Sequence, residues 1–142
     1  MSKKISYKGR LPMGIEERIR LKTIKGEVGY KINKFQIVSK EPGVASHELV
    51  GKIRLSSDSN VGPTIDFSDN DLLACAFHMD LEVGSDVIIF DNEIFNQDVF
   101  VQLASASGST VEGNYYIELE TMALSDVQST QLTLKNLRSI TS

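Results

Sequence analysis

Apolar and polar residues alternate with a period of two along most of this 142-residue chain, the pattern of strands with one buried face. In ERIRLKTIKG, Ile19, Leu21 and Thr23 share one face, and Arg18, Arg20 and Lys22 the other. GYKINKFQIVSK begins the same way at Tyr30 and Ile32, then slips by one residue to Phe35 and Ile37. A β-bulge at Asn33 or Lys34 produces such a slip. ELVGKIRLS sets Leu49, Gly51, Ile53 and Leu55 against Val50, Lys52 and Arg54. TIDFSD predicts a short strand with Ile65 and Phe67 on one side.

SDNDLLACAFHMDL reads as one helical turn over 69–72 followed by a strand, with Leu73, Cys75, Phe77, Met79 and Leu81 on one face. A longer helix to about residue 78 is the competing reading. VIIFDNEIF and VFVQLASAS flank a polar cut at Asn96, Gln97 and Asp98. In YYIELETMAL, Tyr115, Ile117 and Leu119 face one way and Tyr116, Glu118 and Glu120 the other. The closing segment changes period. Ser125 precedes a first turn carrying Asp126, and Lys135 and Arg138 come late, a charge order that suits a helix dipole over about 126–138. Val127, Leu134 and Leu137 fall close to one face of that helix, although the alternation of Leu132 and Leu134 also fits a strand. Short strands joined by few tight hairpin turns predict an antiparallel β-sandwich, jelly-roll-like, rather than a parallel α/β sheet.

The chain divides into residues 1–15, an extended basic arm punctuated by Gly9, Pro12 and Gly14, and a single sandwich domain over 16–142 that includes the helix. Before Glu16 the charged residues are Lys3, Lys4, Lys8 and Arg10, against a net charge of -4 for the whole chain. An acidic chain does not coat nucleic acid over its whole surface, so contact with nucleic acid is expected only through this arm, if it is more than a solvated terminus. The single cysteine, Cys75, excludes an intrachain disulfide and any cysteine-pair metal or redox site. No stretch approaches the roughly 18 apolar residues of a membrane span, and the N-terminus lacks the apolar core of a signal peptide. The chain is therefore expected to be made in a cytoplasm, without a membrane partner.

Candidate chemistry is sparse. Asp66, Ser68, Asn70, Asp69 and Asp71 in DFSDND offer oxygen ligands for calcium, but the glycine and distal glutamate of an EF-hand loop are missing. A turn in which these side chains bond nearby amides accounts for them. Asp91, Glu93 and Asp98 in FDNEIFNQD are possible acid–base carboxylates only if a cleft separates their pKa values. A polar corner between two apolar strands is the simpler reading. An enzyme would need these carboxylates to converge with His47 or His78 in a pocket. Cys75 sits among apolar residues, where cysteine is a small core side chain. Tyr30, Lys31, Lys34 and Phe35 interleave aromatic and basic residues as single-strand binders do, but Tyr30 and Phe35 fit a core better. No phosphate loop, dinucleotide fingerprint, nucleophile elbow or zinc-protease motif is present. The residues thus predict no catalytic, cofactor or metal site.

GYKINKFQIVSKEPG, TIDFSDNDLLA, IFNQDVFV, NYYIELE and LTLKNLRSI resemble strings in small structural proteins of tailed bacteriophages, marine ones especially, over about residues 28–140. The resemblance implies a virion component without enzyme activity, made in the host cytoplasm. Its partners would be copies of itself, as a homo-oligomer, and other virion proteins. A capsid-associated cement, decoration or minor capsid role is the first expectation, because the chain is short for a major shell protein. A tail or fibre-base component, a single-jelly-roll shell protein of another virus type, or a free carbohydrate-binding sandwich are the alternatives. Low aromatic content (7%) and the lack of Trp count against the last. Assembly contacts are expected from Lys3, Lys4, Lys8 and Arg10 and from Leu134 and Leu137 on the helix.

Overall fold

Among the described residues, eight strands and one helix follow in chain order: β1 (Lys3–Leu11), β2 (Ile15–Ile19), β3 (Val28–Ser39), β4 (Glu48–Arg54), β5 (Leu72–Met79), β6 (Gly84–Ile89), β7 (Val99–Ser105), β8 (Gly113–Ala123) and α1 (Asp126–Thr141). The computed structural model describes residues 3–41, 48–79, 84–90, 94–107 and 111–141, and only the backbone of 84–85 and 136–141. Two antiparallel sheets result, ordered β1-β8-β3 and β2-β7-β4-β5-β6. β1 pairs with β8, β2 with β7 and β4 with β5, so the chain is a long hairpin folded about the β4–β5 connection and then rolled up. That nested pairing is jelly-roll topology. β6 departs from it, pairing with β5 instead of closing against β3.

The core lies between the sheets. Phe35, Ile37, Tyr115, Ile117 and Leu119 from the smaller sheet meet Leu49, Ile53, Val101 and Leu103 from the larger. Gly51, Ala74 and Ala76 share one inner face by register, and their small side chains make room for the large ones opposite. A Cβ on Gly51 would stand 3.0 Å from both Phe35 Cζ and Ile37 Cγ2. The expected bulge is present, with the β3 register shifting between Ile32 and Lys34. It keeps Ile32 and Phe35 both in the core.

Four expectations are corrected. Residues 3–11 are a paired strand, not a free arm, because Ile5, Tyr7 and Leu11 pack with the core while Lys4, Lys8 and Arg10 point outward. β2 stops at Ile19, because the Leu21 and Lys22 amides bond to the Asp98 carboxylate instead of to a neighbouring strand. TIDFSD is not a strand: its backbone makes local bonds, Asp69 N–H to Asp66 O and Leu72 N–H to Asp69 O. On β5, Cys75 and Phe77 face away from the core, since their register partners Lys52 and Val50 lie on the outer face. Beyond these, α1 extends past residue 138 to Thr141.

Candidate functional site

The polar cut at 96–98 is a structural corner. Asp98 is nearly buried. Its Oδ1 accepts the Leu21 and Lys22 N–H groups at 2.7 and 2.8 Å, and its Oδ2 accepts Arg18 Nε at 2.7 Å. Burial alone would raise its pKa, but the Lys22 and Leu21 amides and the Arg18 guanidinium outweigh it and hold the carboxyl below the usual range. Asn96, only 1% exposed, donates through Nδ2 to Gly26 O at 3.0 Å, Thr133 Oγ1 at 3.3 Å and Ser129 O at 3.4 Å. It therefore pins α1 to the sandwich. Gly26 has φ 64° there, and a Cβ would crowd Asn96 at 3.0 Å. α1 starts with a capping box: Ser125 Oγ accepts Gln128 N–H, and Gln128 Oε1 accepts Ser125 N–H.

The acidic cluster belongs to a loop strapped across the outer face of the larger sheet. Leu55 N–H donates to Asp71 O at 2.9 Å, closing residues 56–70 into an Ω-type loop. Arg54 holds it from below, with Nε to Asp69 Oδ2 at 2.8 Å and NH1 to Ser56 O at 3.1 Å. Glu16 holds it from β2: its carboxylate accepts Ser57 Oγ, the Asp58 N–H and Gln102 Nε2. Lys52 Nζ donates to Thr64 O at 2.9 Å, and burial lowers its pKa. Asp66 bonds Ser68, and Phe67 packs edge-on against Phe90. Cys75 lies on this face beside Lys52, buried, with its thiol pKa raised by burial. Among the described residues no group of His, Cys, Asp or Glu side chains converges to hold a metal ion.

The basic residues lie on the smaller sheet. Register sets Lys4 and Lys31 on either side of Glu120, and Ser6 and Lys34 on either side of Glu118. Lys8 stands opposite Tyr116, while Arg10 reaches Glu112 at 3.1 Å, a carboxylate it shares with Lys40 at 3.5 Å. Lys3 pairs in register with Thr121 at the strand's end. The outer face is thus an acidic central strand between two basic ones. On α1, Leu134 and Val127 are exposed while Ser129 is buried, so the helix docks through its hydroxyl side; the Leu137 side chain is outside the described residues.

An open groove of about 370 Å³ lies where β3 and β6 fail to close, lined by Val38, Ala76, His78, Val87 and Tyr116 among others. Asp98 does not reach His78. His78 shares a row with Leu49 and Ser105, at the far end of β7 from Asp98, roughly 20 Å along the strands. His47, Asp91 and Glu93 lie outside the described residues. Sequence reasoning overlooked Arg54, Glu16 and Glu17. The last accepts a short hydrogen bond from Tyr115, whose hydroxyl pKa is raised by burial and by that carboxylate.

No family model matches the chain. No curated protein matches it either. Among solved structures, the three-dimensional structure of Cocksfoot mottle virus is similar, with a TM-score of 0.42 and 7% identity, over 89% of this chain and 96% of that one. The fold assignment rests on the strand order given above, not on that likeness.

Proposed function

We propose that the protein is a non-enzymatic structural component of a virus particle, capsid-associated as cement, decoration or minor capsid protein, acting through repeated protein–protein contacts. One observation carries this reading: among the described residues, most of the polar groups suited to chemistry are spent on bracing the fold. Asp98 and Asn96 hold the corner and helix, and Arg54, Glu16 and Asp69 hold the strap. What faces outward is a charged sheet face and open sheet edges, features that meet other proteins. The resemblance of its sequence strings to structural proteins of tailed bacteriophages supports a phage particle as the setting; a tail or fibre-base position is the second form of the same reading.

The test is native mass by analytical ultracentrifugation at several concentrations, in low and moderate salt. A discrete homo-oligomer, or shells and sheets at high concentration, is expected. Salt-sensitive assembly would implicate the face carrying Lys4, Lys8 and Lys31. A chain that stays monomeric throughout overturns assembly through copies of itself.

A further inference from the structure

Beneath the strap, register sets Glu16, Gln102 and Lys52 in one row across β2, β7 and β4. Neighbours in such a row have Cβ atoms about 4.5–5.5 Å apart, so their side chains are within reach of one another. Gln102 stands out in it. The residue is 1% exposed, and its Oε1 is buried without a hydrogen-bond partner. An orphaned carbonyl of this kind calls for an explanation. The Nε2 of the same amide donates to Glu16 Oε1 at 2.9 Å. On the other side stands Lys52, half-buried, whose Nζ donates to Thr64 O on the strap at 2.9 Å. Lysine has a long flexible stem, and a turn from the strap down to the sheet carries Nζ to the Gln102 amide. The row thus holds an amine, a buried carboxamide and a carboxylate already bonded to that carboxamide, the parts of an acyl transfer.

We infer that Lys52 and Gln102 join in an isopeptide bond that the folded chain forms by itself, tying β4 to β7 under the strap. Lys52 Nζ attacks Gln102 Cδ as the free amine. The Nζ–Cδ bond forms and the Cδ–Nε2 bond breaks. Glu16 accepts a proton from the attacking nitrogen and returns one to Nε2, the atom its Oε1 already touches, and Nε2 leaves as ammonia. A primary amine and a primary carboxamide become a secondary amide and ammonia, so no oxidant, reductant or cofactor is consumed. Burial, and then the Arg54 charge, lower the Lys52 pKa and so favour the amine. Gln102 is shut off from solvent under the strap, so water does not compete for Cδ. The step happens once per molecule, a modification of the fold and not an enzyme activity. It goes beyond the particle reading and does not depend on it.

Mass spectrometry of the denatured full-length protein tests the bond. Wild type should weigh one ammonia less than its sequence, and protease digests should contain a branched peptide joined at Lys52 and Gln102. Lys52→Arg keeps the charge, and Gln102→Leu keeps the bulk without a carboxamide. Each should show the full sequence mass and no branched peptide, with a circular dichroism spectrum like that of wild type. Glu16→Gln should form the bond about a hundredfold more slowly, because the proton carrier is gone. Wild-type protein that keeps its full sequence mass after prolonged warm incubation overturns the proposal, whatever the variants do. An ammonia deficit that persists in Lys52→Arg overturns it too, since the loss then comes from elsewhere, such as a cyclised asparagine. Native mass in solution reports separately on assembly, so this proposal and the particle reading can fail independently.

Discussion

Asp98→Ala should be among the most damaging single changes in this protein. The substitution strips a charged acceptor from two N–H groups, Leu21 at 2.7 Å and Lys22 at 2.8 Å, at the point where β2 ends. Leu21 is a buried core residue, so water cannot readily replace the carboxylate there. A hydrogen bond to a charged group contributes about 1.5–3 kcal/mol. The Arg18 side chain is 53% exposed, so its ion pair adds little, about 0–1 kcal/mol. The expected loss is about 3–5 kcal/mol, a large share of the roughly 5–15 kcal/mol that stabilises a domain. Asp98→Asn keeps the shape and one acceptor oxygen, and should cost about half as much. Urea unfolding followed by circular dichroism at neutral and acid pH measures both. The folded-state pKa of Asp98 is depressed. Its contribution is therefore fully present above the unfolded carboxyl value of about 3.9 and is lost as pH falls through the folded value. The gap between wild type and Asp98→Asn must close in acid. A neutral-pH loss for Asp98→Ala below about 1 kcal/mol, or a gap to Asp98→Asn that does not narrow in acid, would refute the brace.

Asn96→Ala should cost about 2 kcal/mol and, more tellingly, raise hydrogen exchange in the first half of α1, whose link to the sandwich runs through that amide. Arg54→Lys keeps the charge but loses the forked contact with Asp69, so proteolysis within 56–70 and alkylation of Cys75 should both accelerate; unchanged rates would show that the strap holds without it. Deleting residues 1–14 should abolish cooperative unfolding, because it removes a whole strand and with it Ile5, Tyr7 and Leu11 from the core; a truncated chain that folds normally would contradict the pairing of β1 with β8.

The fold class was legible because period-two alternation reports directly which strand face is buried, and the slip at Asn33 even located the bulge. The corner at 96–98 was legible as well, since a polar cut inside an apolar run has to satisfy backbone groups there. The misreadings share a cause. Cations on β1 looked like an arm because alternation with Ile5, Tyr7 and Leu11 is broken by Gly9, and nothing local reveals that β8 lies alongside. Cys75 and Phe77 looked like core because apolar residues occupy both faces of β5: one meets the other sheet, the other lies on the face crossed by the strap. The strap itself depends on Arg54 and Glu16 reaching residues 15 and 42 positions away, for Asp69 and Asp58, and no local pattern encodes such distances.

The strand order has a consequence for how the molecule is made. β8 comes after every other described strand and is the central strand of its sheet, flanked by β1 and β3. As the polypeptide leaves the ribosome, β4, β5 and β6 can pair as they emerge, and β7 and β2 can join them. β1 and β3 must wait, because their shared partner has not yet been synthesised. Closing Lys3 onto Thr121 spans nearly the whole chain, and non-local pairing of this kind is slow. Throughout that interval two strands stand exposed to neighbouring chains, and the lysines on them are a safeguard against aggregation before folding is finished.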